Sequence, residues 1–516
     1  MKYLFLLSLI LISAIVSVLR FDSFQVGTFY DDAHYIVLAE SLANGEGYHL
    51  INYPDKKSET NFPPGWPLLL APVVTFFPDN YAVLKGLTLF FWLASIPLIY
   101  RLLALRIKKP YLHLLMIVIV LNHGLITYSV RVMSEAAFLF FSLLTLNLFE
   151  TWLRRHQEQP AYGLLVLVIL LALFTQLIRT IGIALLLAII VYLLLKRYFR
   201  PLAVVTIVIV LGMLPQLWLN TQRGGTIISS GYQQQVFGIN SPTEKITQAW
   251  STIKKYTGDN KIVTTLLVPI FGQNFFVTTL TNLNVISIAR TLINSGVLAL
   301  ILLGIFLTWP KFRISDVYVG FYLLGIISFW NPLVATAQAR FLVPIIPFLY
   351  AYLLSGLLWL IQQIIPEHSH HRYSLPITAV LSMLLVFLLL DHNLQDWRTP
   401  ARNNITDLSI GTTWIKANTP PDAVVMSRMP VLDYLYARRQ TIDYPGKNEI
   451  LAPYLTRHQI NYILISPYVQ MPKSNQLDDI TKNKLLPAVQ SHPDKFQLVY
   501  KSPAHGVWVY EVEIEN

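Results

Sequence analysis

Tyr30-Asp31-Asp32-Ala33-His34-Tyr35 is a tight cluster of ionisable and aromatic side chains. It follows a long apolar segment, Tyr3 to Leu19. An amphipathic run, Ile36 to Leu42, comes after it, and then a proline-rich strip, Asn61-Phe62-Pro63-Pro64-Gly65-Trp66-Pro67. Two adjacent carboxylates just outside a membrane helix have few purely structural uses. The expected fold is therefore a hydrophobic bundle that holds a lipid-borne substrate against an acidic loop at the membrane surface, with the carboxylates as the chemical centre.

The rest of the composition agrees. The chain has 516 residues, of which 54% are hydrophobic and only 13% charged. Its mean hydropathy is +0.51. Soluble proteins carry roughly 25% charged residues, so this is a polytopic membrane protein. The absence of cysteine excludes disulfides, thiolate metal sites and a cysteine nucleophile. The net charge of +11 does not point to nucleic acid, because the basic residues fall in short loops between apolar segments. The N-terminus mimics a signal peptide, but its apolar run exceeds the usual h-region of roughly 7–15 residues. We read it as a retained first helix.

A spanning helix needs about 20 apolar residues, and on that basis the expected spans number about eleven. They are 3–19, 81–100, 111–128, 135–153, 161–176, 180–195, 201–219, 291–309, 315–330, 341–364 and 375–391. Residues 161–195 as one helix would measure ~52 Å, too long for one crossing. Gln176, Arg179, Thr180 and Gly182 interrupt the middle, so a helical hairpin with a polar tip at 176–182 is expected. Arg101, Arg106, Lys108 and Lys109, then Arg154 and Arg155, Lys196, Arg197 and Arg200, Lys311 and Arg313, and finally His368, His370, His371 and Arg372 all follow even-numbered spans. They share one side, expected to be cytoplasmic. The opposite side receives the 20–80 loop, the 220–290 loop and the C-terminal tail.

Within the first outer loop, Asp32 to Ala43 has helical spacing and is stopped by Asn44-Gly45-Glu46-Gly47. Trp66 to Phe77 is too short to span and is expected to lie in the interface plane. The predicted division is a membrane domain over 1–391 and a soluble α/β domain over 392–516. In the latter, Thr406 to Ala417 reads as a helix and Ala423 to Met426 and Ile460 to Ile465 as buried strands. Phe496 to Tyr500 and Val507 to Glu513 read as a closing hairpin.

Several side chains could carry chemistry. Asp31 and Asp32 could act as general base or hold a cation with oxygen ligands; equally, Asp32 could cap the helix that follows. His34 lies within a turn of both. Glu135 opens a span, where an acid costs a few kcal/mol unless paired or hydrated; an i, i+4 pair with Arg131 is its structural alternative. Arg179 and Arg340 open apolar spans on the outer side, and their planar donor forks match phosphate oxygens. Lys85 could add a point charge. Snorkelling to headgroups is the alternative for all three cations. The His368–His371 cluster suggests a metal but falls in a cytoplasmic loop.

In combination these segments resemble the GT-C superfamily of membrane glycosyltransferases. That superfamily includes protein O-mannosyltransferases and the bacterial enzymes that add aminoarabinose or galacturonic acid to lipopolysaccharide. Asp31-Asp32-Ala33-His34-Tyr35 looks like the first-loop acidic motif, and Asn61-Phe62-Pro63-Pro64-Gly65-Trp66-Pro67-Leu68-Leu69 like the interfacial strip. Arg131-Val132-Met133-Ser134-Glu135 resembles the opening of the fourth span. Leu177-Ile178-Arg179-Thr180-Ile181-Gly182 is similar to a Thr-Arg-Pro-x-Gly turn, and Arg340-Phe341-Leu342-Val343-Pro344-Ile345-Ile346-Pro347 to the start of a late span. Trp414 to Ala423 recurs in bacterial members. Asp32 stands where glutamate is common, and Thr180 where proline is frequent.

The resemblance implies an inverting transfer of a sugar from a polyprenyl-phosphate donor to an acceptor on the outer face of the plasma membrane. Asp31 would be the base, with Lys85, Arg179 and Arg340 on the departing phosphate. Asp32, His34 and Glu135 would orient the acceptor or bind a cation. Some relatives need a divalent metal ion and others do not, so Asp31, Asp32 and His34 stay open as metal ligands. The rival function class is a secondary transporter or lipid flippase. Transporters usually bind near mid-depth between internal repeats, whereas here the conspicuous charges lie at one face and no repeat is visible.

Overall fold

The computed structural model describes residues 2–59, 61–224, 241–257, 261–267, 283–328, 339–365, 370–400, 407–446, 449–467 and 477–513. They form two compact units. The first comprises Met1–Arg20, Gly86–Val130 and Ser134–Gln395; the second comprises Phe21–Lys85, Arg131–Met133 and Asp396–Asn516.

The first unit is helical. Among the described residues, five helices are long and apolar enough to cross a membrane: Tyr81–Leu103, Glu135–Glu158, Thr291–Lys311, Ala339–Ile364 and Tyr373–Arg398. A sixth crossing is available to the pair Lys109–Val120 and His123–Ser129, which bends by 51°. Asn122 makes that break: its Oδ1 accepts from the Leu125 amide at 3.1 Å, capping the second piece. The other expected spans are met by shorter apolar helices: Tyr3–Leu19, Tyr162–Ile178, Thr180–Leu195, Phe199–Pro215 and Ile314–Ser328. The expectation of eleven crossings rests on these shorter helices also reaching across the bilayer.

The hairpin over 161–195 is present, as the helices Tyr162–Ile178 and Ile183–Leu195 joined by one 3-10 turn, Thr180–Gly182. Gly182 is required there. A Cβ on it would stand 2.7 Å from the Gln176 Cα, inside any normal contact. Trp92, Trp152, Phe138, Phe149, Tyr318 and Tyr322 fill the helical core. Basic loop residues join it through paired charges. Arg106 forks onto Asp316, which also accepts from the Tyr352 hydroxyl at 2.6 Å, and Arg313 meets Glu150 at 3.0 Å. Each of these carboxylates is nearly buried and has a guanidinium set against it.

In the second unit, the helix Asp31–Ala43 packs on the helix Gly65–Phe76. The first is enclosed at successive positions Tyr35 to Ala39, so it is not a helix with one open face. The second buries Trp66, Leu70 and Val74 and exposes Leu68 and Phe76, the division an in-plane helix needs. A short hairpin, β1 (His49–Leu50) and β2 (Lys57–Ser58), follows the first of them.

The tail builds a five-stranded sheet in the order β4-β3-β5-β7-β6. β3 is Val424–Ser427, β4 Gln440–Ile442, β5 Tyr462–Ile465, β6 Phe496–Ser502 and β7 Val507–Val512. β3 runs parallel to β4 and β5, and the β6–β7 hairpin closes antiparallel on β5. Both predicted buried strands and the predicted hairpin are therefore present. The helix expected over 406–417 is instead Thr412–Asn418. Its start is delayed because the Asp407 carboxylate accepts from the Ser409 amide at 2.9 Å and bends the chain into a turn; Thr406 lies outside the described residues. The first loop packs with this tail. The Thr441 amide donates to the Asn52 carbonyl at 2.7 Å, and the Tyr53 hydroxyl to Asp443 at 2.7 Å.

Candidate active site

The acidic motif opens the helix Asp31–Ala43. Tyr30, just before it, has φ +64°, a left-handed backbone that turns the chain sharply into the helix. Both carboxylates sit in the first turn, where the helix dipole favours negative charge. Their environments differ. Asp32 is 3% exposed; its Oδ2 accepts from the Gly27 amide at 2.7 Å and its Oδ1 from the Ala33 amide at 3.1 Å. Burial raises its carboxyl to about 6, against the lowering effect of the Gly27 hydrogen bond. Asp31 is only half-buried. The adjacent pair thus resolves into one carboxylate that ties the turn together and one that keeps access to solvent.

His34 is held on three sides. Its Nδ1 donates to the Tyr30 carbonyl at 3.0 Å, its ring stacks on Phe62 at 4.8 Å, and Tyr30 meets it edge-on at 4.6 Å. With Nδ1 carrying the proton, Nε2 is the acceptor nitrogen. The Phe62 contact joins the acidic motif to the proline strip. Tyr48 supports it by donating to the Phe62 carbonyl at 2.8 Å, as does Glu59, which accepts from the Asn61 and Phe62 amides.

Lys85 belongs to the same unit. Its ammonium donates to the carbonyls of Phe21 at 2.9 Å and Phe24 at 2.8 Å, so it organises the loop that leads into the motif. It lines a cavity of ≈ 460 Å³ together with Phe24, Gln25, Tyr81, Asp407 and Tyr436. Sequence reasoning gave Arg131 only a pairing role with Glu135. In the structure its guanidinium lies between two aromatic rings, 3.6 Å from the Phe24 centroid and 4.0 Å from that of Phe29. Its charge also acts on Asp32, holding that carboxyl lower than burial alone would. An arginine beside an acidic segment was visible in the sequence, but its two aromatic partners lie some hundred residues away and left no local signal.

In the first unit, Glu135 pairs with Arg179. The Nη1 of Arg179 reaches Glu135 Oε1 at 2.6 Å and Ser134 Oγ at 3.0 Å. Glu135 is fully buried, and its Oε2 has no hydrogen-bond partner among the described residues. The extended backbone of Arg179 at the hairpin tip, φ −146°, breaks the helix and frees the guanidinium to reach across. Arg340 opens the 3-10 turn Ala339–Ile345. Its guanidinium lies 5.2 Å from the Phe341 ring, and that of Arg179 lies 5.9 Å from the same ring. The Tyr322 hydroxyl anchors this turn by donating to the Phe341 carbonyl at 2.8 Å. One phenylalanine thus gathers the two predicted phosphate-binding arginines.

Part of the donor set at the motif is already engaged. Both Asp32 oxygens are engaged by backbone amides and His34 Nδ1 by a carbonyl. Among the described residues, Asp31, Asp32 and His34 do not gather three ligand atoms close enough to share one ion. His368 lies outside the described residues; His370 and His371 open the helix His370–Arg398.

No protein-family model and no curated protein sequence matches the chain. Solved structures do. The chain is similar to ArnT of Cupriavidus metallidurans, an aminoarabinose transferase, in its structure bound to undecaprenyl phosphate. Identity is 12%, the TM-score 0.61, and the match covers 98% of this chain and 97% of that one. The apo state of the same protein gives a TM-score of 0.58 at 12% identity, with the same coverage of both chains. The oligosaccharyltransferase of Archaeoglobus fulgidus, tethered to an acceptor peptide, gives 0.55 at 15% identity over 89% of this chain and 69% of its own. Both neighbours are GT-C glycosyltransferases. The chain has the GT-C fold.

Proposed function

We propose that this chain is an inverting glycosyltransferase of the plasma membrane that moves a sugar from a polyprenyl-phosphate donor to an extracytoplasmic acceptor. The observation that carries the reading is the near-full-length likeness to a transferase whose structure holds undecaprenyl phosphate. The apolar helices and the asymmetry within the acidic motif support it.

In this reading an acceptor hydroxyl attacks the anomeric carbon of the donor sugar. The new C–O bond forms as the bond to the lipid phosphate breaks, and the phosphate departs with the bonding electrons. Asp31, the more accessible carboxylate, takes the hydroxyl proton; such general bases contribute ~10²–10⁴-fold. Asp32 holds the turn that aims it. Arg179, Arg340 and Lys85 offset charge on the departing phosphate, an effect worth most where water is excluded. The unpartnered Oε2 of Glu135 and the Nε2 of His34 are acceptors for sugar hydroxyls.

The test compares lipid and glycan pools of cells with and without the protein, and of cells carrying Asp31→Asn. A polyprenyl-phosphate sugar should accumulate while one glycoconjugate loses that sugar, and the variant should behave as the null. Unchanged pools would overturn the transferase reading in favour of a transporter. Full transfer by Asp31→Asn would remove Asp31 as base.

A further inference from the structure

We infer that the tail segment Pro430–Arg438 is a positioning element for the acidic helix, with Arg438 as its principal residue. The inference concerns the site of the proposed transferase and rests on that reading for its kinetic arm.

The segment grips the helix Asp31–Ala43 and its lead-in at three points. Leu432 presses on Gly27, whose amide holds Asp32: a Cβ on Gly27, which sits at φ +95°, would fall 1.9 Å from Leu432 Cδ1. The Tyr436 hydroxyl donates to the Val26 carbonyl at 2.8 Å, one residue upstream. Arg438 then closes on the far end of the helix. Its Nη1 meets Glu40 Oε2 at 2.9 Å and its Nη2 meets Glu40 Oε1 at 3.0 Å, a two-pronged fork.

The same guanidinium bonds Asp79 and reaches the Tyr81 hydroxyl at 3.4 Å. Tyr81 in turn donates to the Leu435 carbonyl at 2.8 Å. Tyr81 begins the helix that carries Lys85. Arg438 is placed for this by its own backbone, which ends the helix Pro430–Ala437 in the left-handed conformation, φ +51°. Glu40 and Arg438 are both largely shielded, so neither is a solvated surface charge. One residue of the tail therefore ties the base-bearing helix to the start of the Lys85 helix.

A misplacement of about 1 Å can cost on the order of 10²-fold in rate. Removing the fork should lower kcat and leave donor binding nearly intact. Lysine keeps the charge but not the paired geometry, so it should restore part of the loss.

The experiment uses purified full-length protein in lipid nanodiscs, comparing wild type with Arg438→Ala, Arg438→Lys and Glu40→Gln. Hydrogen–deuterium exchange is followed in peptides covering 27–43. Sugar transfer is followed as kcat and as KM for the polyprenyl-phosphate donor. Arg438→Ala should speed exchange across 31–43 and lower kcat by roughly 10-fold or more with KM changed less than about 2-fold; Arg438→Lys should fall between. Unchanged exchange across 31–43 in both Arg438→Ala and Glu40→Gln would overturn the inference, as would full kcat in Arg438→Ala. Should Arg438→Ala fail to fold, Glu40→Gln removes only one side of the fork and decides by the same two readouts. If wild type transfers no sugar, the functional reading fails while exchange still decides the clamp.

Discussion

Glu135 and Arg179 form a pair with almost no access to water. Breaking such a pair leaves one buried charge uncompensated and typically costs ~3–5 kcal/mol, whereas replacing both partners with apolar groups can be neutral. Glu135→Ala should therefore lower the thermal midpoint of the purified protein sharply. Glu135→Leu with Arg179→Met should recover most of it yet leave transfer lost, which separates fold from function in one series. Asp433 is a different case, a buried tail carboxyl with no cation set against it among the described residues. Burial pushes it up to about 7 from an ordinary 3.8. Between those values the folded state binds a proton that the unfolded chain has released, so this group's contribution to stability falls as pH rises through about 7. Relative to wild type, Asp433→Asn should gain stability between pH 5 and 8.5 in thermal unfolding; a constant difference would contradict the assignment. At this scale the sequence marks Asp31 and Asp32 as a pair but does not show which of them is enclosed. Asp31 and Asp32 are chemically equal neighbours, and the Gly27 turn, whose amide binds one of them, separates their environments.

The hairpin over 161–195 shows how an element can be read from length and polarity alone. Its tip depends on Gly182, and Gly182→Ala drives a methyl into the Gln176 backbone. That overpacking should cost about 1–3 kcal/mol and shift Arg179 away from Glu135; both thermal unfolding and transfer should drop together. Burial of whole runs also announced β3 and β5. By contrast β4 consists of Gln440, Thr441 and Ile442, too short and too polar to stand out. The enclosed state of the helix Asp31–Ala43 was equally hidden. Its spacing suggested one buried face, and its cover comes from the helix Gly65–Phe76 together with the tail helix Pro430–Ala437.

At the level of the molecule, the composition changes near Asp391, inside the helix His370–Arg398, and that change does not reveal that the first loop and the tail form one compact unit. Contacts between residues nearly four hundred positions apart leave no periodicity to detect. They do make a prediction. Val425 is fully buried at the centre of the tail sheet, so Val425→Asp would strand a charge there and unfold the domain. The loop hairpin, anchored through Asn52 and Tyr53, should then become sensitive to trypsin at Lys56 and Lys57 while the membrane helices stay protected. Equal cleavage in wild type and variant would show that the loop holds its shape unaided.

The fork between Glu40 and Arg438 closes over 398 residues of chain. Translation proceeds at ~5–20 residues per second, so the acidic helix emerges ~20–80 s before the arginine that fixes it. For that interval the helix Asp31–Ala43 has its partner Gly65–Phe76 but not the tail residues that pack against it. On the proposed function, a nascent chain stalled before Arg438 would carry the acidic motif without the fork that aims it.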